Sequence, residues 1–212
     1  MKIKKIGHCC LVLQTNGLTV LTDPGSFSDE QNSLTGIDVV LITHEHGDHF
    51  HVESVQEILK NNPKAQVITN SGVGAQLDVF KIPYTLLEDT SSTSIQGVHF
   101  EASDGKHEEI FEEIGQVQNT GYFIDSLFYP GDAFHLPGKE VGILALPVAG
   151  PWCKLADAIR YALAVKPKKA FPVHDAMLKG AFTGFVHNLP KTILGQHGIE
   201  FTSMCTGDKA EF

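Results

Sequence analysis

The stretch Thr43-His44-Glu45-His46-Gly47-Asp48-His49 decides the fold, because it gathers three histidines and one aspartate into seven residues. An apolar run, Val39 to Ile42, precedes the motif and is typical of a strand that is buried on both faces. The segment from Val52 to Lys60 follows it and repeats apolar residues at helical spacing, with Glu53 in the first turn. The motif is therefore predicted to form a loop between a strand and a helix. In α/β sheets such loops carry the chemistry.

The spacing within this loop indicates a metal site. His44 and His46 are two residues apart and project to the same side of an extended chain, so they can share one ion. Asp48 and His49 come after Gly47, which allows the backbone to turn toward a second position. Imidazole with carboxylate is a ligand set of zinc, and also of iron or manganese. The alternative is a polar loop that contains histidines by chance, but a four-ligand cluster at a strand end is hard to explain as ordinary solvation.

The pattern Thr-His-x-His-x-Asp-His resembles the signature of the metallo-β-lactamase-fold hydrolases, with Glu45 and Gly47 in the open positions. The resemblance implies an α/β protein, a four-layer αββα sandwich with a one- or two-metal site at the edge of the sheets. It extends over nearly the whole chain and looks closest to a compact branch of metal-dependent hydrolases that includes an ascorbate-phosphate lactonase.

The resemblance also implies three later ligands, each after a predicted strand. His107 follows the strand predicted at 97–102 and would complete the first site; His99 competes with it but lies in mid-strand, whereas ligands cluster on loops. Asp132, directly after Gly131, would be the carboxylate that bridges two ions, although Gly-Asp alone is an ordinary turn. His174 would be the last histidine of the second site.

Several neighbouring side chains are candidates for supporting roles. The resemblance implies that Asp23 braces the metal loop, while an Asp before Pro24 is as readily a turn residue. Asp175 is expected either to orient His174 or to cap the next turn. Three other residues are candidates for substrate contact or for packing, and His8 is interpreted as a core residue outside the ligand set. These three are His8, His135 and Trp152.

Length and composition limit the remaining possibilities. The chain has 212 residues, which predicts one domain over residues 1–212, and 42% hydrophobic with 19% charged residues is typical of a globular protein. The net charge of -9 argues against nucleic acid as a partner. No apolar run reaches the length of a membrane span, and no signal peptide is indicated, so we expect a cytoplasmic protein without a membrane partner. Of the four cysteines, adjacent Cys9 and Cys10 point to opposite sides of a strand, and no disulfide is expected.

The periodicity predicts further elements. The opening reads as one strand from Lys2 to Gln14, a turn, and a second strand over 18–22. Helices are predicted at 72–80 and 155–165, and a final strand in the tail from Ile199 to Glu211. His187 and His197 lie in no motif and are predicted to be surface residues. The other strands are predicted at 65–69, 83–88, 94–102, 121–124, 126–129, 141–146 and 170–173.

These residues together predict a hydrolase with two divalent ions, zinc first and manganese second. One ion would be held by His44, His46 and His107, the other by Asp48, His49 and His174, with Asp132 between them. A bridging hydroxide would attack an ester-like bond of a small-molecule substrate, most plausibly a lactone, with Asp48 and Asp132 as catalytic residues. A small-molecule phosphodiesterase and a non-catalytic metal-binding protein are the alternatives. Homo-oligomerisation is an expectation from the resemblance alone.

Overall fold

Two seven-stranded sheets and four helices make up the fold in the computed structural model, which describes residues 1–212. The first sheet contains, in spatial order, β14 (Lys209–Glu211), β1 (Lys2–Gly7), β2 (Cys10–Thr15), β3 (Leu18–Thr22), β4 (Val39–Leu41), β5 (Gln66–Thr69) and β6 (Thr85–Leu86). The second contains β13 (Glu200–Phe201), β12 (Lys169–Val173), β11 (Ile143–Pro147), β10 (Leu127–Tyr129), β9 (Gln118–Ile124), β8 (Val98–Lys106) and β7 (Ser92–Ile95). The helices are α1 (Val52–Asn61), α2 (Ser71–Val79), α3 (Leu155–Val165) and α4 (Gly180–Gln196).

Three apolar clusters define the layers. The largest joins residues of both sheets, such as Leu13 of β2 and Phe171 of β12, and forms the middle of the sandwich. A second cluster packs α3 and α4 on the second sheet, and a third packs α1 and α2 on the first. Because each sheet buries one face against its partner and the other beneath helices, the layers follow in the order αββα, as the resemblance implies.

Strand direction gathers the loops of interest at one edge. The strands β3, β4, β5 and β6 are parallel, and β1 runs in the same direction because it pairs antiparallel with β2, which pairs antiparallel with β3. In the second sheet β10, β11 and β12 are parallel, and β8 has their direction because β9 pairs antiparallel with both β8 and β10. The segments that leave the carboxyl ends of these strands can therefore meet at one edge of each sheet.

The opening of the chain differs from the prediction. The predicted strand over 2–14 is two strands, β1 and β2, joined by a tight turn at His8 and Cys9. His8 has a φ of +51°, a left-handed conformation that few non-glycine residues adopt. The turn moves His8 from the middle of a strand to the strand-end edge. Cys9 and Cys10 both lie buried, in different apolar clusters, and are free thiols.

The largest element that the sequence does not indicate is α4. Gly184, Pro190 and Gly195 weaken its helical signal, yet its buried Val186 and Leu194 pack on the second sheet. The predicted final strand is two short strands, β13 and β14, that belong to different sheets. The predicted strand at 94–102 is the hairpin β7–β8, and β8 continues to Lys106. None of the helices is both long enough and apolar enough to cross a lipid bilayer.

Candidate metal centre

The seven predicted ligands lie together where the strands end. His44, His46, Asp48 and His49 follow β4, while His107 follows β8 directly. Asp132 comes three residues after the end of β10, and His174 is the first residue after β12. Both sheets therefore contribute to one cluster. His99, the competitor of His107, is exposed in β8 and pairs with Glu101.

The cluster divides into two groups of donor atoms. His44, His46 and His107 form one group, whose ligand atoms lie within 4.8 Å of one another. Asp48, His49 and His174 form the second group, again within 4.8 Å, and His8 lies with them. These are the two sets expected from the sequence, with His8 in addition, and the buried thiol of Cys9 also lies with His49 and Asp132.

Asp132 lies between the two groups. Its Oδ2 is 3.3 Å from His107 Nε2 and 4.0 Å from His44 Nε2 on one side. On the other side the same oxygen is 2.8 Å from His174 Nε2, and Oδ1 is 3.0 Å from His49 Nε2. A single carboxylate is therefore within reach of both groups of imidazoles.

The inner atoms of the cluster lack hydrogen-bond partners. The Nε2 atoms of His44, His49 and His174 and Oδ1 of Asp132 are buried and form no hydrogen bond, because the contacts of His49 and His174 with Asp132, at 3.0 and 2.8 Å, lack hydrogen-bonding geometry. Leaving one buried polar atom unpaired costs about 1–3 kcal/mol in the free energy of unfolding. Four such atoms together would cost an amount comparable to the whole net stability of a domain, about 5–15 kcal/mol. Metal ligation satisfies such lone pairs, and imidazole with carboxylate is a donor set that divalent transition metals prefer. The residues present fit divalent ions.

The outer imidazole nitrogens are held by the protein. His107 Nδ1 lies 2.6 Å from Glu108 O, and His174 Nδ1 lies 2.5 Å from Ala149 O. Since a carbonyl oxygen can only accept, both rings carry a proton on Nδ1, and Nε2 is the nitrogen that faces the cluster. Metal-binding histidines in proteins are oriented in this way.

Asp23 braces the motif. Its Oδ1 accepts a hydrogen bond from Thr43 N at 2.8 Å, and its Oδ2 accepts from Thr43 Oγ1 at 2.8 Å and Tyr129 OH at 2.7 Å. The same Oδ2 lies 2.7 Å from His49 Nδ1. Thr43 Oγ1, having donated to Asp23, can accept from His44 Nδ1 at 3.0 Å. Asp23 therefore orients two imidazoles, one of them through Thr43.

A glycine allows the loop after Asp23 to approach the motif. A Cβ added to Gly25 would lie 1.9 Å from the carbonyl oxygen of Asp48, so no other residue fits there without moving the backbone. The close approach places Ser26 N within a 2.8 Å hydrogen bond of Gly47 O. The segment after β3 and the metal-binding motif thus form one packed unit.

The charges of the cluster are strongly coupled. Burial and the nearby His49 hold the pKa of His44 well below its ordinary value. Burial also disfavours the ionised form of Asp132, but the positive charges of His49 and His174 outweigh it and hold the pKa of this carboxyl well below its usual range. In turn, Asp132 raises the pKa of both His49 and His174 well above 6.5, against the effect of burial. Without an ion, Asp132 therefore favours the charged form of these two imidazoles.

Two predictions beside the cluster are wrong. Asp175 does not orient His174; its Oδ2 accepts from Lys5 Nζ at 2.7 Å and lies 2.9 Å from His187 Nε2. His187, predicted at the surface, is buried in α4 by this contact. The sequence gives no sign of either contact, because Lys5 and Asp175 meet only when the two sheets pack together and His187 reaches Asp175 only when α4 packs on the second sheet.

His8, His135 and Trp152, the three candidates for substrate contact or packing, differ in whether they contact the cluster. Trp152 Nε1 donates to Asp132 Oδ2 at 3.0 Å, and its ring lies edge-on to His107 and His174 at 5.7 and 5.4 Å. His8 Nε2 lies 3.0 Å from Asp48 Oδ2. His135 instead bonds Ser103 Oγ at 3.1 Å and packs on Phe128, and it belongs to neither group of donors. Trp152 and His8 thus contact the cluster. The pair Gly7-His8 is the only feature of the sequence that points to a place for His8 at the cluster. The strand predicted over 2–14 does not include a turn at this pair.

Comparison with known proteins places the chain in a family. The sequence model of a protein family, the β-lactamase superfamily domain, matches residues 2–174. Protein Rv0786c of Mycobacterium tuberculosis is 34% identical over 184 residues, which cover 84% of this chain and 85% of that protein. A UPF0173 metal-dependent hydrolase of Geobacillus thermodenitrificans is 41% identical over 73 residues, covering 32% of this chain and 31% of the relative.

A solved structure supports the fold. Igni18, a metallo hydrolase of the archaeon Ignicoccus hospitalis, superposes with a TM-score of 0.78 at 16% identity and covers 100% of this chain and 98% of its own. At this identity the likeness concerns the fold, and it confirms the metallo-β-lactamase fold expected from the sequence. With a family model that matches most of its length, the chain belongs to the β-lactamase superfamily.

Proposed function

We propose that this metal-dependent hydrolase holds two divalent ions and cleaves an ester-like bond of a small molecule, most plausibly a lactone. His44, His46 and His107 would hold one ion, and Asp48, His49 and His174 the other. Asp132 would contact both. Zinc is the first candidate and manganese the second, since both accept imidazole and carboxylate.

The position of Asp132 Oδ2 carries the proposal. This oxygen is 3.3 Å from His107 Nε2 and 2.8 Å from His174 Nε2, so one carboxylate faces a ligand of each group. The buried Nε2 atoms of His44, His49 and His174 have no other partner. A single-ion site would leave one of the two groups of imidazoles without a function.

The ions would supply a hydroxide at neutral pH and stabilise the oxyanion that forms when a carbonyl is attacked. The protein residues supply orientation. The side chain of Asp48 is 20% exposed whereas that of Asp132 is 2% exposed, so Asp48 is the carboxylate that can meet a substrate or an attacking water. We assign to Asp48 the role of orienting that water by accepting a hydrogen bond from it.

The aromatic wall of the cluster favours an uncharged substrate group over a phosphodiester. Six of the 16 lysine and arginine side chains form ion pairs, none of them with a residue of the cluster, and Lys5, beside Asp175, is fully buried by its own partners. Trp152 and Phe134, whose rings are 5.3 Å apart, add an apolar surface beside Asp132. Phosphodiester hydrolysis is the second candidate function, since the same ion pair can serve it. A binding protein without catalysis is the third.

Turnover assays test this proposal. The protein reconstituted with zinc or manganese would be assayed on a panel of lactones and on a generic phosphodiester, with Asp132→Ala as the variant. Lactone turnover that is lost in the variant is the expected result. Turnover of the phosphodiester alone would replace the first function with the second. No turnover with two ions bound would contradict both substrate classes, and absence of bound metal would contradict the hydrolase mechanism.

The expected partners follow the same proposal. A small-molecule substrate is proposed, with neither nucleic acid nor membrane as a partner. Cytoplasmic location and self-association stay predictions from the sequence and the resemblance.

A further inference from the structure

His8 is a buried residue at the cluster that the ligand assignment does not use. Its side chain is 1% exposed and lies between Phe27, at a ring distance of 5.0 Å, and His174, at 4.1 Å. Its backbone has a left-handed φ of +51° and its carbonyl accepts from His174 N at 3.3 Å. Non-glycine residues in this conformation cluster at functional sites, since the surrounding structure must maintain them.

Both ring nitrogens of His8 have a partner. Ala176 N donates to Nδ1 at 3.3 Å, and Nε2 lies 3.0 Å from Asp48 Oδ2. A backbone N–H can only donate, so Nδ1 is the acceptor and holds no proton. A neutral imidazole with a bare Nδ1 carries its proton on Nε2, and the carboxylate of Asp48 accepts that proton in a hydrogen bond.

This arrangement distinguishes His8 from the metal-ligating histidines. His107 and His174 direct Nδ1 at carbonyl oxygens, which leaves Nε2 as the nitrogen that can bind an ion. His8 directs Nδ1 at an N–H group, which leaves Nε2 protonated and unable to bind one. To act as a ligand, His8 would have to move its proton to Nδ1, where it would face the N–H of Ala176.

We propose that His8 is a positioning residue, which holds the carboxylate of Asp48 by donating a hydrogen bond from Nε2, and that it is not a metal ligand. His174 Nε2 also lies 3.4 Å from Oδ2 of Asp48, but that nitrogen is assigned to the ion, which leaves His8 as the donor that can hold this partly exposed carboxylate. Through Ala176 N, the ring also connects the turn after β1 to the loop after His174. The expected effect of His8 on metal affinity rests on the proposed two-ion site. The tautomer of His8 does not, because it is a property of the protein without metal.

Two-bond ¹H–¹⁵N correlation spectra of the full chain, with and without zinc, test the tautomer directly. The His8 signals are assigned among the 11 histidines by their loss in His8→Asn. We expect the Nε2–H tautomer in both states, with no change at His8 that indicates a bond to zinc. The Nδ1–H tautomer, or a metal-bound Nε2 after zinc is added, would overturn the proposal. The tautomer is measured on the unmodified protein, with the variant used only for assignment, and the measurement does not depend on enzymatic activity.

Two variants separate positioning from packing. In His8→Asn the shorter side chain tolerates the left-handed backbone and can accept from Ala176 N, but it cannot reach Asp48. In His8→Gln the amide nitrogen lies near the former Nε2 and can donate to Asp48. Calorimetric zinc titration should show the second ion bound about 10–100-fold more weakly in His8→Asn, the range typical of residues that orient metal ligands. The affinity for the first ion should be unchanged.

We expect His8→Gln to regain most of this affinity. Equal weakening in both variants, or none in His8→Asn, would overturn the positioning role. If the proposed function is wrong, the unmodified protein would bind fewer than two ions. The tautomer of His8 would still test the proposal about His8, because it can be measured without any ion.

Discussion

Two clusters of buried histidine and aspartate meet at consecutive residues, His174 and Asp175, and they differ in whether their polar atoms have partners. Asp175 accepts from Lys5, whose Nζ also donates to Pro172 O at 2.9 Å and Met204 O at 3.2 Å, and it contacts His187. This cluster, Lys5–Asp175–His187, is complete. In the metal-centre cluster the inner Nε2 atoms of His44, His49 and His174 have no partner. Both clusters are buried and combine histidine with aspartate, but only the structural one includes a lysine, and hydrogen-bond satisfaction separates it from the functional one.

The largest effect is expected for Asp132→Ala, which removes the carboxylate between the two groups. We expect turnover to fall at least about a thousandfold, the upper range for losing one group that stabilises transition-state charge. Metal content measured by mass spectrometry should fall with it. The control is Asp157→Ala on the surface of α3, which removes an exposed ion pair with Arg160 and should change neither quantity. Full metal content in Asp132→Ala would contradict the assignment.

Removing Lys5 should affect stability and leave metal binding intact. Lys5→Met leaves a buried carboxylate with one partner fewer, and breaking such a pair costs about 3–5 kcal/mol in the free energy of unfolding. The neighbouring Lys4→Met removes an exposed pair with Glu30 and should cost about 0–1 kcal/mol. Urea unfolding of the metal-free proteins measures both. If Lys5→Met abolished metal binding in a folded protein, the two clusters would not be separate.

Asp23→Asn should weaken metal binding, because an amide cannot accept all the hydrogen bonds that orient His49 and Thr43. An affinity loss of about 10–100-fold is expected by calorimetry. Asp38→Asn is the matched control, since Asp38 accepts from Thr19 N near the start of β3, at the opposite end of the sheet. Equal losses in both variants would indicate a general effect on the fold.

Metal affinity should rise with pH. Without an ion, the pKa values of His49 and His174 are raised, because the charge of Asp132 outweighs the opposing effect of burial, so protons compete with an ion for these two imidazoles. An ion must displace these protons, and affinity should grow about tenfold per pH unit for each proton released, until the pH passes the raised pKa values. Calorimetry in two buffers of different ionisation enthalpy counts the protons. Affinity that is constant between about pH 6 and pH 8 would contradict this charge assignment.

The smallest effect is expected for Trp152→Phe. The variant keeps an aromatic ring beside His107 and loses the hydrogen bond from Nε1 to Asp132 Oδ2. A hydrogen bond to a charged group contributes about 1.5–3 kcal/mol, and an ion on Asp132 would replace part of it, so we expect a loss of turnover of about tenfold or less. A loss as large as that of Asp132→Ala would give Trp152 a larger role than orienting this carboxylate.

The sequence predicts the metal-centre cluster better than the structural one for a physical reason. Four of its residues lie within His44–His49, and each remaining one follows a strand, so short spacing and strand ends indicate them. Lys5 and His187 lie in a strand and a helix without any local signal, and their contacts with Asp175 depend on how the two sheets and α4 pack. The sequence pattern places His8 in a strand because its apolar neighbours mask the turn. Local patterns identify residues that share a loop, whereas pairs made by packing require the structure.

Anomalous X-ray diffraction at the zinc and manganese absorption edges tests the central claim most directly. The account predicts two peaks in crystals of the metal-loaded protein. One should lie among His44, His46 and His107, the other among Asp48, His49 and His174, with Asp132 touching both and His8 bound to neither. One peak, no peak, or an ion at the Lys5–Asp175–His187 cluster would contradict it.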